Sequence, residues 1–240
     1  MHAIETNDLT KKFGDTAAVN GLNLRVEQGE IFGLIGPDGA GKTTAIRLLC
    51  CLLTPVSGSA KVLGFDTKKD PDRIKDSIGY MSQRFSLYQD LTVEENLDFF
   101  AQLRGVEKTQ IEKQKKRLYE FSRLEKFKDR PAGKLSGGMK QKLALSATLM
   151  HCPRLLFLDE PTTGVDPVSR VEFWEIIKSL APKVTIFVST PYMDEAEKCD
   201  SIGFINNGAI MAQDTPQNIK ALGGAKASME DAFIHLMGKR

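Results

Sequence analysis

The segment GPDGAGKT, residues 36–43, decides the fold of this chain. It fits the pattern G-x-x-x-x-G-K-[ST], it follows the apolar run Ile31–Ile35, and it precedes a helical pattern over residues 44–53. A strand, a glycine-rich loop and a helix in that order form a phosphate-binding loop (P-loop), because the loop amides and the positive end of the helix dipole converge on phosphate oxygens. The residues that we expect at nucleotide phosphates are Gly36, Pro37, Asp38, Gly39, Ala40, Gly41, Lys42, Thr43 and Thr44.

Four polar side chains supply the chemistry that such a loop needs. Lys42 can neutralise the β and γ phosphates, and the hydroxyl of Thr43 is a suitable Mg²⁺ ligand. Asp159 and Glu160 follow the apolar run 155–158. At the end of a strand, Asp159 can reach the metal and Glu160 can polarise the water that attacks the γ-phosphate. Two solvated loop acids are the alternative, but the preceding P-loop favours a P-loop nucleotidase.

Short apolar runs indicate a buried sheet of parallel strands. The three runs cover residues 31–35, 155–158 and 184–188. Residues 3–9 and 17–26 alternate more loosely and predict an antiparallel edge. Asn207-Gly208 lies between two apolar runs and predicts a two-residue hairpin, because both residues tolerate positive φ.

The middle of the chain, about residues 92–150, has a helical pattern. It opens on Thr92 and Glu95, which have the spacing of a capping box. Residues 111–127 predict an amphipathic helix with a solvated basic face, an interpretation that we prefer to a nucleic-acid-binding patch.

The fold class is therefore α/β: a P-loop nucleoside triphosphatase core with a mostly parallel sheet, an N-terminal antiparallel β edge and an inserted α-helical lobe. We predict a single domain over residues 1–240. Its parts are a core of about 1–84 and 151–220, a helical lobe of about 85–150 and a short helical tail of about 221–240.

Composition narrows the function classes. The 240 residues carry a formal net charge of +2, which argues against a dedicated nucleic-acid binder. The N-terminus carries Glu5 and Asp8 where a signal peptide needs a basic start, and no uninterrupted apolar run reaches the roughly 18 residues that cross a bilayer. The four cysteines form no C-x-x-C pair, so reduced thiols and a cytoplasmic location are expected.

The segment LSGGMKQ, residues 135–141, narrows the class further because it resembles the signature sequence of ABC ATPases. Ser136 can cap the next helix, and the two glycines let backbone amides approach an anion. A simple helix cap is the alternative, but the position about twenty residues before Asp159 matches the family. The signature residues implied for a partner's ATP are Leu135, Ser136, Gly137, Gly138 and Met139.

The resemblance spans nearly the whole chain and implies roles for further residues. Phe13 stands where the family stacks an aromatic ring on adenine, although by itself it would more often be a core residue. Gln83 resembles the glutamine that touches Mg²⁺ and the attacking water, which makes Glu160, Gln83 and Lys42 the catalytic set. Thr43, Gln83 and Asp159 are the implied Mg²⁺ ligands. Asp166 resembles the residue of the loop that contacts the opposing subunit.

The resemblance also implies cofactors and partners. ATP and Mg²⁺ are the expected ligands, and a second nucleotide-binding domain, identical, different or on the same longer chain, is the expected partner. Transmembrane permease subunits are further expected partners, and the surface near Gln83 and the helical lobe would transmit the closing movement to them. The segments TTGVDP and SMEDAFIHL look most like those of ATPases of drug, lipid or polymer exporters. Such a protein is expected at the cytoplasmic face of the membrane. No nucleic acid is expected as a partner.

One position departs from the family pattern. The family usually reads S-T-H after the 184–188 strand, and this chain reads Ser189-Thr190-Pro191. Proline cannot make the histidine's contact with the γ-phosphate, whereas Thr190 can cap a following helix with Pro191 at its first position. We therefore expect slowed hydrolysis at the chain's own P-loop and an asymmetric pair of sites. A harmless variation is the alternative.

Functions of other classes remain as alternatives. A soluble ABC ATPase that acts on DNA or ribosomes would need a coiled-coil insertion or a basic linker, which the sequence lacks. A regulatory ATP-binding domain with little turnover is favoured by Pro191 and opposed by Glu160. A GTPase lacks its N-K-x-D pattern here, and a small-molecule kinase leaves the signature segment unexplained.

Overall fold

The computed structural model describes residues 2–84, 86–181, 183–224 and 227–238. Within those residues the chain forms ten strands and nine α-helices. The strands are β1 (His2–Phe13), β2 (Thr16–Glu27), β3 (Ile31–Ile35), β4 (Ser57–Val62), β5 (Phe65–Asp66), β6 (Ile78–Met81), β7 (Leu155–Asp159), β8 (Thr185–Thr190), β9 (Ser201–Asn206) and β10 (Ala209–Asp214). The helices are α1 (Lys42–Leu49), α2 (Pro71–Ser77), α3 (Val93–Leu103), α4 (Lys108–Ser122), α5 (Gly137–Leu149), α6 (Pro167–Leu180), α7 (Met193–Ala196), α8 (Pro216–Ala221) and α9 (Met229–Met237).

The main sheet brings the ends of its central strands together. Its order is β10-β9-β3-β8-β7-β6, with β9, β3, β8, β7 and β6 parallel and β10 antiparallel to β9. Every residue of β3, β7 and β8 is buried, which is why these strands read as continuous apolar runs. Ile35 pairs with Thr190, and Asp159 pairs with Ser189. The loops that follow these three strands therefore begin side by side, at the edge where α/β proteins bind ligands.

The α/β fold class is confirmed, with two differences in the sheets. The N-terminal strands are antiparallel as predicted, but they form their own sheet, β2-β1-β4-β5, rather than an edge of the main sheet. The reason is that β1 is paired on both sides, by β2 and by β4, and packs its apolar face over β3 and α1. Strands β4, β5 and β6 were not predicted; the four residues of β6 are too few to show a period.

The helical middle confirms the capping box and changes the ends of two helices. The hydroxyl of Thr92 accepts from Glu95 N–H at 3.1 Å, and Thr92 N–H donates to Glu95 at 2.8 Å. Helix α1 begins at Lys42 rather than at residue 44 and ends at Leu49, since Cys51 has a φ of 57°. Helix α4 ends at Ser122 because Arg123 adopts a φ of 58°.

One basic residue of α4 does not lie on a solvated face. Lys115 is 4% exposed and pairs with three carboxylates, at 3.2 Å from Glu94, 3.0 Å from Asp98 and 2.6 Å from Glu112. The pattern of residues 111–127 could not reveal this, because two of the three partners come from α3.

The predicted hairpin is confirmed and braces the P-loop. Asn207 and Gly208 have φ values of 48° and 77°, as a two-residue turn requires. Gly208 N–H donates to Ala40 O at 2.9 Å, and Asn20 N–H donates to Gly208 O at 2.8 Å. The turn therefore joins β2 to the P-loop.

The described helices include none that is long and apolar enough to cross a membrane. Residues 225–226 and 239–240 of the predicted helical tail, and residue 85 of the predicted lobe, lie outside the described residues.

Candidate nucleotide-binding site

The P-loop connects β3 to α1 through a conformation that needs glycine. Gly41 is the N-cap of α1 with a φ of 104°, and a Cβ there would lie 2.3 Å from Ala18 O. None of the described side chains caps the helix, so its first amides point to the loop without a side-chain acceptor. A Cβ on Gly36 would likewise lie 2.3 Å from Ile205 O. These features fit a phosphate group, because they expose amides and exclude side chains at the helix N-terminus.

Lys42 is held inside this loop. Its ammonium donates to Gly36 O at 2.8 Å and to Pro37 O at 2.9 Å, and it lies 3.1 Å from Glu160 Oε1. The side chain is 3% exposed, whereas that of Asp38, at 4.0 Å, is 91% exposed. Lys42 thus connects the P-loop to the carboxylate that follows β7.

Three hydroxyl groups surround the carboxylate of Asp159 at the end of β7. Thr43 donates to Oδ1 at 3.0 Å, Ser189 donates to Oδ1 at 2.8 Å, and Tyr80 donates to Oδ2 at 3.3 Å. Burial, followed by the Asp159 charge, raises the pKa of Tyr80 to about 12. The paired oxygens of Thr43 and Asp159 fit a Mg²⁺ ion, which prefers hard oxygen ligands.

Glu160 has a backbone conformation that is uncommon for its residue type. Its φ is 49°, in the left-handed region, and its N–H bonds to both the carbonyl and the hydroxyl oxygen of Ser189 at 3.1 Å. Its Oε2 accepts from Gln83 Nε2 at 2.9 Å, and its Oε1 pairs with Lys42. Such strain is typical of functional sites. The structure therefore brings the three predicted catalytic side chains into contact.

Phe13 lies near the end of the β1–β2 hairpin. Its ring is 53% exposed, with Lys11 Nζ 5.4 Å from the ring centroid. The same hairpin reaches the P-loop, because Ala18 O lies against Gly41. An exposed ring on the hairpin that reaches the P-loop is suited to stacking on a base.

The signature segment and the predicted dimer loop form a second group. Ser136 is the N-cap of α5, and its hydroxyl accepts from Met139 N–H at 3.3 Å. A Cβ on Gly138 would lie 2.3 Å from Ser169 Oγ, so this glycine permits α5 to touch the first turn of α6. Asp166 caps that turn by accepting from Ser169 N–H at 2.9 Å.

The other signature residues differ in exposure. Leu135 is buried and Met139 is half-buried. A Cβ added to Gly137 would meet no atom of the described residues within 4 Å. The open side of Gly137 leaves its backbone accessible.

The end of β8 differs from the prediction. Helix α7 begins at Met193 with Tyr192 as N-cap, so Thr190 is not its cap and Pro191 is not its first residue. The reason is that β8 continues through Thr190, which pairs with Ile35 and whose carbonyl accepts from Gly36 N–H at 3.3 Å. The hydroxyl of Thr190 accepts from Tyr192 N–H at 3.1 Å instead, forming a local turn. Pro191 thus follows the residue that is bonded to the P-loop.

None of the three histidines lies at this position. His151 Nε2 is 2.9 Å from Ile78 O, at the opposite end of β7 from Asp159, and burial lowers its pKa. His2 of β1 pairs with Glu27 of β2 at 2.6 Å, and His235 is exposed on α9.

Sequence reasoning missed two residues that organise the site. Ser189 bonds to both carboxylate-bearing residues, and Tyr80 bonds to Asp159 from the neighbouring strand β6. A polar residue at the end of a buried apolar run was the signal for Ser189. Tyr80 had none, because β6 was not predicted.

A P-loop, two carboxylates after a buried strand and a parallel sheet together define a P-loop nucleoside triphosphatase. Residues 19–163 match the family model described as ABC transporter. The chain belongs to the family of ABC transporter ATP-binding proteins.

The similarity to relatives extends over most of this chain. It is 47% identical over 239 residues to the probable multidrug ABC transporter ATP-binding protein YbhF of Escherichia coli, covering 98% of this chain and 41% of that protein. It is 39% identical to the daunorubicin/doxorubicin resistance ATP-binding protein DrrA of Streptomyces peucetius, covering 91% of this chain and 67% of that protein. A solved ATP-binding subunit of an ABC transporter matches with a TM-score of 0.86 and 28% identity, covering 98% and 99% of the two chains. The chain spans about two fifths of the length of the first relatives that it matches.

Proposed function

We propose that this chain is the ATP-hydrolysing motor, or half of the motor, of an ABC exporter. The observation that carries this proposal is the position of Glu160, which contacts both Lys42 and Gln83 beside the oxygens of Thr43 and Asp159. A general base, a phosphate-binding cation and a metal site are the parts that phosphoryl transfer to water requires.

Each side chain has a role in this proposal. Lys42 leaves the loop carbonyls to bind the β and γ phosphates, and Glu160, released from Lys42, orients the attacking water with Gln83. Thr43 and Asp159 would hold Mg²⁺, which supplies positive charge at the phosphate oxygens. Phe13 would stack on the adenine ring. The hydrogen bond from Lys42 to Gly36 O supports the first of these roles, because it holds the ammonium in the P-loop. The exposure of Phe13 supports the last.

The signature segment serves a second nucleotide-binding domain in this proposal. The open backbone at Gly137 and the exposed dimer-loop residue Asp166 support an approach by another domain. The partner can be an identical chain, a different chain or a second copy on one longer chain. Closure around two ATP molecules would then drive the transport cycle.

Transmembrane permease subunits are the proposed recipients of that movement. The surface beside Gln83 and the helical lobe carries exposed Tyr88 and Leu103, with the Tyr88 and Phe99 rings 4.5 Å apart. An exposed aromatic surface of this kind suits a protein partner. The names of YbhF and DrrA support drugs as the class of cargo. Binding to a permease would place this chain at the cytoplasmic face of the membrane.

Slow hydrolysis at the chain's own site is the second part of the proposal. Pro191 follows the strand end that is bonded to the P-loop, and it has neither an N–H nor a side-chain donor for the γ-phosphate. Loss of a positioned contact of this kind costs about 10²- to 10³-fold in rate. The signature segment could still serve a partner's P-loop, so the two sites of the pair would be unequal.

The test of the motor function is Glu160→Gln in the full-length protein. The variant should bind ATP with unchanged affinity and lose about 10²- to 10⁴-fold in Mg²⁺-dependent phosphate release, because it lacks the general base. Glu172→Gln, on α6, is the matched control, and it should keep the wild-type rate. Equal rates for Glu160→Gln and wild type would overturn the proposed hydrolysis. ATP binding without any release by wild type would favour a regulatory domain instead.

A further inference from the structure

Glu195 is a buried carboxylate that the proposed reaction does not use. It lies on α7, four residues after Pro191, and its exposed fraction is 0%. Its Oε1 accepts from the hydroxyl of Thr162 at 2.7 Å and lies 3.4 Å from Arg170 Nε. Its Oε2 is buried and has no hydrogen-bond partner among the described residues. Arg170 is therefore the cationic partner of the Glu195 carboxylate among the described residues.

Arg170 meets the short segment after β8 at three points. Besides Glu195, its guanidinium pairs with Asp194 and lies over the Tyr192 ring at 4.7 Å. The planar guanidinium can satisfy a carboxylate and stack on a ring at the same time, which a lysine ammonium cannot do. All three partners come within five residues after Thr190.

Thr162 and Arg170 belong to the segment that follows Glu160. Thr162 is buried two residues after Glu160, and Thr163 N–H donates to Glu160 O at 3.3 Å. Arg170 lies in the first turns of α6, which begins at Pro167. Contacts to Glu195 therefore join the turn that carries Pro191 to the loop that carries Glu160.

We propose that Glu195 is a positioning residue for ATP hydrolysis, acting through a clamp formed by Thr162, Arg170 and Glu195. The clamp holds the turn after β8 against the loop after β7 and so keeps Glu160 aligned at a site where residue 191 has neither a polar side chain nor an N–H. The Glu195 side chain is fully buried and that of Arg170 is 22% exposed, so water and salt screen this pair less than an exposed pair. Small displacements of a catalytic group cost up to about a hundredfold in rate.

A second ion pair on the same segment provides a matched control. Glu197, two residues after Glu195, pairs with Lys220 of α8 at 2.5 Å, and both side chains are partly exposed. This pair joins the segment to α8 rather than to α6. Glu195→Gln and Glu197→Gln are therefore the same chemical change at two contacts of one short segment.

The inference rests on the proposed ATP hydrolysis, and its test measures kcat, KM for ATP and Tm in the full-length protein. Glu195→Gln keeps the size and the Thr162 bond, and it should lower kcat about tenfold with KM unchanged. Arg170→Met should do the same, and the double variant should lose no more than the worse single variant, since the two residues act as a pair. Glu197→Gln should keep the wild-type kcat.

Two results would overturn the clamp. One is a kcat for Glu195→Gln equal to that of Glu197→Gln. The other is a parallel loss of Tm and ATP binding with unchanged kcat per folded molecule, which means that Glu195 has only a structural role. If Arg170→Met does not fold, Glu195→Gln decides the question. A wild-type protein that releases no phosphate would overturn the proposed function itself, and with it the inference.

Discussion

The ends of β7 and β8 lie side by side in the main sheet, and they are equipped very differently. Strand β7 ends in Asp159 and is followed by Glu160, and the two carboxylates receive bonds from four side chains and a lysine ammonium. Strand β8 ends in Thr190 and is followed by Pro191; here the hydrogen bonds come from the backbone and from the Thr190 hydroxyl, which forms a local turn. The first end presents two carboxylates, and the second presents a backbone hydrogen bond to the P-loop and a proline side chain without a polar group.

Backbone atoms place both strand ends next to the P-loop, whereas side-chain atoms determine what each end can do there. Hydrogen bonds along the strands align both ends with the P-loop regardless of side chain. The chemistry then depends on which side chain each end presents.

Asp159→Asn should have the largest effect. Asparagine keeps an acceptor for the Thr43 and Ser189 hydroxyls but removes the charge that a Mg²⁺ ion needs. We expect about a hundredfold slower hydrolysis at limiting Mg²⁺, since metal coordination supplies several kcal/mol of charge stabilisation. Phosphate release measured across a Mg²⁺ titration checks this.

The control for that prediction is Asp231→Asn, which weakens the capping box of α9 instead. It should leave the Mg²⁺ dependence unchanged. If Asp159→Asn and Asp231→Asn show the same Mg²⁺ dependence as wild type, Asp159 is not part of a metal site.

Ser189→Ala should have an intermediate effect, because Ser189 joins the two strand ends. Its hydroxyl donates to Asp159 and accepts from Glu160 N–H, so alanine leaves a buried carboxylate with one donor fewer. We expect a loss of about 1–3 kcal/mol in the free energy of unfolding and about a tenfold lower kcat. Urea unfolding and steady-state turnover measure the two quantities.

Ser146→Ala is its matched control. Ser146 is a buried serine whose hydroxyl has no hydrogen-bond partner among the described residues. Its replacement should cost little in either measurement. Equal losses for the two alanine variants would mean that the Ser189 bonds contribute nothing specific.

Tyr80→Phe should have the smallest effect and should show it only at alkaline pH. Burial and Asp159 raise the pKa of Tyr80 from 10.0 to about 12, so the folded protein retains the phenol proton after the unfolded chain has lost it. The free energy of unfolding should therefore decrease as the pH rises from about 10 to about 12. Thermal unfolding across this range should show a shallower decrease for Tyr80→Phe. An equally steep decrease would contradict the raised pKa.

Much of the charged end could be predicted from the sequence. The P-loop, the two carboxylates and the buried strands before them are local patterns, in which a run of apolar residues is followed at once by polar ones. Gln83 came from the family resemblance. The structure brings it to Glu160 across 77 residues of sequence, a distance that no local pattern spans.

The other end shows where such prediction stops. Pro191 suits the start of a helix, yet the pairing of Thr190 with Ile35 extends β8 and moves the start of α7 to Met193. Tertiary pairing here overrides the local preference of proline. The contact of Glu195 with Thr162 and the bond from Tyr80 to Asp159 are also long-range, so their partners could not be read from spacing.

Pro191→His shows whether the residue after β8 limits hydrolysis at the chain's own site, as we propose. Single-turnover hydrolysis is measured in the full-length protein, with Pro191→Ala as the control that removes the ring without adding an imidazole. We expect histidine to raise the rate by about 10²-fold and alanine to leave it unchanged, because only the imidazole can contact the γ-phosphate. An unchanged rate in Pro191→His, with ATP binding intact, would contradict this expectation.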